Sequence, residues 1–217
     1  MYFVIEGVIG VGKTTLARLL QPSFEANLLL EVFEENPFLN DFYSDRARYA
    51  FQTQIFFLLS RYHQQNKGVP ALMEQGRHII GDYTFDKDSL FARINLHGDE
   101  LEMYYRVHEA LGEKITPPDL VVYLRASTRT LMQRIALRDR PYERQMERDY
   151  IADLNQAYED YFVHQAEKLS IPVLAIDTND IDFVRNPEDL SAIENRIRQV
   201  LHLPPFQPEL PLVGDAS

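Results

Sequence analysis

The stretch from Phe3 to Thr15, FVIEGVIGVGKTT, constrains this chain more than any other. Gly7, Gly12, Lys13 and Thr14 fit G-x-x-x-x-G-K-[ST], with Gly10 as a further glycine inside the loop. An apolar run from Tyr2 to Ile5 precedes it, and Leu16, Leu19 and Leu20 follow at helical spacing. A strand, a glycine-rich turn and a helix in that order are the phosphate-binding unit of an α/β fold. The glycines let the backbone curl so that its N–H groups and the helix N-terminus face phosphate oxygens. Lys13 is expected to reach the β- and γ-phosphates, and Thr14 to offer a hydroxyl to Mg²⁺, with Thr15 beside it. The stretch points to a bound nucleoside triphosphate.

Four more apolar runs, 28–33, 78–82, 119–124 and 172–176, join 2–6 as strands, and helical patterns fill the intervals. That alternation predicts a five-stranded parallel sheet with helices on both faces. Segment 46–66 is apolar on most sides (Phe51, Ile55, Phe56, Leu58) and reads as a buried helix. Over 144–169, Met146, Tyr150, Leu154, Ala157, Tyr161 and Gln165 predict one long helix with a wet face. After His202 the proline-rich LPPFQPELPLVGDAS has no periodicity. The expected organisation is one domain over 1–203 and a loosely held tail over 204–217.

A chain of 217 residues has room for one such domain. Its net charge of −11 repels a polyphosphate backbone, which argues against nucleic acid as a partner. No apolar run reaches membrane length, and the first strand leaves no room for a signal peptide. With no cysteine, disulfides and thiolate chemistry are excluded, and the cytoplasm is the expected compartment.

Residues 129–144, RTLMQRIALRDRPYER, concentrate arginine in this acidic chain. Arg134 and Arg138 share a helical face and Arg140 follows; such a set can clamp phosphates or sit as exposed surface charge, and the phosphate loop favours the clamp. The proline after it suits a mobile lid. Asp82 ends the third apolar run, where it can hold Mg²⁺ or cap the next helix. LLLEVFEENP ends the second run with Glu31, Glu34 and Glu35, any of which could accept a proton from an attacking hydroxyl; spacing does not choose among them. The six histidines show no metal-ligand spacing.

Taken together, GVIGVGKTT, EVFEENPFLNDFY, YAFQTQIFFLLSRY, GDYTFDKDSLFA, LVVYLRAS…RIALRDRPYE and IPVLAID resemble, in order, the deoxyribonucleoside kinase family, and its bacterial deoxyguanosine/deoxyadenosine kinases in particular. The resemblance runs to about residue 200. It implies a P-loop kinase fold with an arginine-rich lid, a homodimer, and transfer of the γ-phosphoryl of ATP, with Mg²⁺, to the 5′-hydroxyl of a small deoxynucleoside, of purine type. Glu31 corresponds to the family's base, although Val32 replaces its proline. Gln54 corresponds to the glutamine that contacts the nucleobase, with Gln52 on the opposite helical face and Arg61 on the same face. Tyr43 and Glu143 correspond to the pair around the 3′-hydroxyl; Tyr43 alone reads equally as a packed aromatic. Asp177 falls at the donor-nucleotide side.

One departure stands out. Asp82-Tyr83-Thr84 lacks the arginine many relatives carry at the middle position. Arg61 or a lid arginine is then expected to supply its charge, and Tyr83 to offer a flat ring beside the base. The rival readings are a nucleoside monophosphate kinase, a pyrimidine deoxynucleoside kinase, and a non-catalytic nucleotide-binding module. The acidic EVFEENP is hostile to a phosphorylated acceptor, and an Asn-Lys-x-Asp guanine signature is missing.

Overall fold

The computed structural model describes residues 1–166 and 169–206, apart from the side chain of Glu34. Five parallel strands lie in the order β2-β3-β1-β4-β5: β1 Tyr2–Glu6, β2 Ala26–Leu29, β3 His78–Gly81, β4 Leu120–Arg125 and β5 Val173–Asp177. β1 takes the centre because every one of its residues is buried, with Phe3 in register with Ile80 on one side and Leu120 on the other. A central strand covered on both faces is an unbroken apolar run, as Tyr2 to Ile5 is. The expected five-stranded α/β fold is the one observed.

The helices are α1 Lys13–Leu20, α2 Leu39–Ser44, α3 Arg46–Glu74, α4 Lys87–Asn95, α5 Gly98–Gly112, α6 Thr128–Arg138, α7 Arg148–Glu159 and α8 Pro187–Val200. They cover two cores. The larger gathers Phe3, Ile5, Leu16, Leu58, Tyr123 and Ile197; the smaller packs Tyr2, Val4, Leu29, Ile79 and Val69 together. Among the described residues no helix is long and apolar enough to cross a membrane.

Three boundaries differ from the sequence reading, each for a reason that bears on the site. β2 stops at Leu29, so the run 28–33 straddles a strand end; Glu31 leaves the sheet and its backbone N–H binds Asp82 Oδ1 at 2.8 Å. α3 runs on past residue 66 through Gly68 and Pro70, because Val69 stays buried in the smaller core and Gly68 lies against Leu29. Segment 144–169 is not one helix. A short 3₁₀ turn, Pro141–Glu143, precedes α7, and a wider π turn, Asp160–His164, follows it. That wide turn keeps Phe162 stacked 5.2 Å from Tyr123 and 5.8 Å from Tyr158 in the core. Most of the predicted tail, 207–217, lies outside the described residues.

Candidate active site

β1 and α1 deliver the phosphate loop. Gly7 has φ 147° and a Cβ there would sit 2.5 Å from the carbonyl oxygen of Leu124, so no larger residue fits. Gly12 caps α1 at φ 107° in the left-handed region. Lys13 folds back over the loop, donating to Gly7 O at 2.6 Å and Val8 O at 3.3 Å. Burial, then the nearby Lys87 charge, push its ammonium pKa down to about 8. The loop is thus built before any ligand arrives.

Beneath it lies Glu6, fully buried at the end of β1. Its carboxylate accepts from Gly7 N at 2.9 Å and from Thr84 N and Oγ1 at 2.6 and 3.1 Å. Burial raises its pKa, opposed by Lys87, Lys13 and those hydrogen bonds. Glu6 ties the start of the phosphate loop to the turn after β3. A lone charge at the end of an apolar strand was the available signal.

Asp82 connects the two halves of the site. Its Oδ2 accepts from the Thr14 hydroxyl while its Oδ1 accepts from Glu31 N. Thr14 and Asp82 therefore stand together as hard oxygen donors at the phosphate loop. One carboxylate and one hydroxyl suit Mg²⁺, which takes its remaining ligands from water and substrate phosphates. Among the described residues no cluster of three or more histidine, cysteine, aspartate or glutamate side chains could hold a metal ion.

Past Asp82 opens a cleft walled by α2, α3, α4 and the segment after α6. Lining it are Lys13, Thr14 and Gly10 from the loop side and Glu31, Tyr43, Gln54, Arg61, Lys87, Arg138 and Glu143 from the others. Glu31 is held at both oxygens. Arg61 Nε donates to Oε1 at 3.1 Å, with its Nη2 also on Oε1, and Lys87 Nζ donates to Oε2 at 2.6 Å. Burial favours the neutral acid, but the charges and hydrogen bonds of Arg61 and Lys87 outweigh it and hold this carboxyl far below the usual carboxylate range. Arg61 also pairs with Asp88, whose side chain is wholly buried. Arg61, one of the candidates to supply the missing arginine's charge, thus lies against Glu31. Lys87 was missed, because in DKD at a helix start it reads as solvated polarity.

Gln54 and Thr53 are buried on α3, and the cleft-lining Gln54 Oε1 and Thr53 Oγ1 have no hydrogen-bond partner among the described residues. Gln52 is exposed on the other face, as the spacing implied. Tyr43 stacks on Tyr142 with ring centroids 6.0 Å apart, and Tyr142 lies 6.2 Å from Phe33. Glu143 is buried and accepts from Arg138 in bidentate fashion, Nη2 on Oε1 at 2.6 Å and Nε on Oε2 at 3.1 Å, with Arg140 at 3.6 Å. Arg140 also lies 4.2 Å over the Phe33 ring. In this arrangement the lid covers the cleft, and the Arg138 fork holds an internal carboxylate.

Two sequence expectations need correction. Tyr83 does not line the cleft; it is buried in the core and donates to Gln64 Oε1 at 2.6 Å, since the residue after Asp82 turns to the opposite side of the strand end. Asp177 does not join the donor side; its Oδ1 accepts from Asn179 N and Nδ2 at 2.9 and 2.8 Å and shapes the turn after β5. Arg134, expected in the phosphate clamp, stands at the phosphate loop itself. Its guanidinium donates to Val11 O at 3.2 Å and to Thr178 Oγ1 and O at 3.0 and 2.6 Å, so it braces the phosphate loop against the loop after β5. Glu35 is exposed outside the cleft, on the groove with Val32 and His63.

A second cleft lies on the outer side of the phosphate loop, lined by Gly10, Gly12, Thr15, Arg134, Arg138 and residues 179–184. The two clefts share Gly10 and Arg138. A phosphate loop between two clefts, with its lysine and the Glu31 carboxylate lining the same one, defines a P-loop phosphotransferase of the α/β class.

This chain belongs to the deoxynucleoside kinase family, whose model matches residues 3–202. It is 33% identical over 202 residues to a deoxyguanosine kinase of Bacillus subtilis, covering 92% of this chain and 97% of that protein. It is 33% identical over 195 residues to a deoxyadenosine kinase of Dictyostelium discoideum, covering 88% of this chain and 76% of that one. A deoxyadenosine kinase of M. mycoides solved with bound dATP superposes with TM-score 0.77 at 25% identity, covering 91% of this chain and 99% of that one. The chain is thus a nucleoside kinase, as the motifs implied.

Proposed function

We propose that this kinase transfers the γ-phosphoryl of ATP to the 5′-hydroxyl of a purine deoxynucleoside, with Glu31 taking the hydroxyl proton. The observation that carries the reading is the pair of clefts meeting at Gly10 and Arg138, with Glu31 and Lys13 lining the inner one together. The nucleotide occupies the outer cleft, its phosphates on the loop, on Lys13 and on Arg138. The deoxynucleoside occupies the inner cleft, its base toward Gln54 and its 3′-hydroxyl between Tyr43 and Glu143. When Glu143 turns to that hydroxyl, Arg138 is released for the phosphates. Mg²⁺, held by Thr14 and Asp82, would neutralise phosphate charge when bound. Catalysis here is chiefly positioning and charge stabilisation by fixed groups.

The purine preference rests on the relatives named above, since Tyr83 offers no ring to the base. A homodimer in the cytoplasm belongs to the same reading by family. A coupled ADP-release assay across the four deoxynucleosides and their monophosphates tests it. Deoxyadenosine or deoxyguanosine should exceed thymidine and deoxycytidine in kcat/KM by at least about tenfold, roughly 1.4 kcal/mol of differential transition-state binding. A pyrimidine as best substrate overturns the purine assignment, and a monophosphate as best acceptor overturns the nucleoside.

A further inference from the structure

Both oxygens of the Glu31 carboxylate carry cationic donors in this structure, and a base so paired is a weak acceptor of a proton. Oε1 is held by two nitrogens of Arg61, and Oε2 by Lys87. Arg61 is fixed, because its other end pairs with the buried Asp88. Lys87 has no such ionic tether: Glu31 is the one hydrogen-bond acceptor of its ammonium among the described residues, and its Nζ otherwise lies over the Phe91 ring, 5.7 Å from the centroid. It lines the same cleft as Lys13, and its charge helps push the Lys13 ammonium pKa down. Two buried ammonium groups lining one gap attract an anion into it.

We propose that Lys87 is a catalytic residue of this kinase, an ammonium that leaves Glu31 Oε2 for the transferring phosphoryl group. This rests on the phosphotransfer reading above and adds a group to it. As O5′ bonds to Pγ, the bond from Pγ to the oxygen retained by ADP breaks. The 5′-hydroxyl proton passes to Oε2, the position Lys87 vacates, and Lys87 meets the equatorial phosphoryl oxygens opposite Lys13. One movement unmasks the base and delivers a cation where charge develops. Arg61 keeps the carboxylate aimed throughout.

Lys87→Met removes the charge with little change in volume. Its kcat with ATP and the best deoxynucleoside should fall about 10²–10³-fold, while KM for the deoxynucleoside changes less than about threefold. Affinity for ADP with fluoroaluminate and deoxynucleoside together should drop by a similar factor, and affinity for the deoxynucleoside alone should not; Lys87→Arg should recover part of both losses. Folded Lys87→Met with wild-type kcat, or equal loss of the two affinities, overturns the proposal. Should the variant not fold, wild-type protein labelled at lysine Cε gives the answer by NMR: the Lys87 resonance shifts with ADP–fluoroaluminate–deoxynucleoside and not with deoxynucleoside alone, and an unmoved resonance overturns it. Failure of wild type itself to phosphorylate any deoxynucleoside is a different result, which removes the phosphotransfer reading first.

Discussion

Replacing Arg61 by methionine should destabilise the protein strongly, although the residue sits at a site. Its side chain is 6% exposed and bridges two carboxylates from different elements, Glu31 at 14% and Asp88 at 0%. Glu31 would retain Lys87, but the Asp88 oxygens have no hydrogen bond among the described residues beyond this ion pair. Removing one partner of a buried pair leaves the other charge uncompensated and costs about 3–5 kcal/mol. For a chain of this length each kcal/mol moves Tm by about 2–4 °C, so Arg61→Met should melt roughly 10 °C below wild type. The Glu31 carboxyl is held below its unfolded value, so its contribution is present above the ordinary carboxylate range, about pH 4–5, and is lost as pH falls toward the folded value. Arg61→Met raises that folded value. The Tm gap should therefore be full at pH 7 and narrow below about pH 5. Adding Asp88→Leu to Arg61→Met should restore at least about 2 kcal/mol, since the stranded charge is gone. Scanning calorimetry on the wild type and the two variants decides it. Arg61→Met melting within about 2 °C of wild type, or a double variant no more stable than the single one, refutes the buried-bridge argument.

Glu31→Gln should lower kcat by about 10²–10⁴ with little change in ATP affinity, whereas Glu35→Gln, on the exposed outer side, should stay within about twofold in the same steady-state assay. Lys13→Ala should abolish turnover while melting near wild type, because it loses only the bonds to Gly7 and Val8 carbonyls; an active Lys13→Ala enzyme would remove the P-loop from the chemistry. Glu6→Gln should cost about 1–3 kcal/mol in denaturant unfolding and raise KM for ATP, since an amide cannot accept from both Gly7 and Thr84 without turning its NH₂ on one donor.

Much of this protein was legible in one dimension. The phosphate loop was, because its chemistry is carried by backbone conformation, and the glycines that permit it, Gly7, Gly10 and Gly12, lie within six residues of one another. The central strand was, because burial on both faces writes an unbroken apolar run from Tyr2 to Ile5. Glu31, Arg61, Gln54 and Tyr43 all reach the cleft, and the helical period placed Gln54 and Arg61 on one face of α3.

What failed lies where periodicity stops. Tyr83 follows β3 in an irregular turn, and no alternation rule says which way its ring points; the structure sends it to Gln64 in the core. The shared helical face of Arg134 and Arg138 was legible, but not that Val11 and Thr178 hold one and Glu143 the other. Lys87 looks like an exposed charge at the start of α4 until β2, arriving from far away in sequence, sets Glu31 against it. The sequence determined the elements and the phosphate loop, because local backbone preference and burial pattern are properties of neighbouring residues. Only the tertiary structure decided which cation meets which carboxylate, because that pairing depends on side-chain direction where strands end and helices begin, and on burial that no single segment creates.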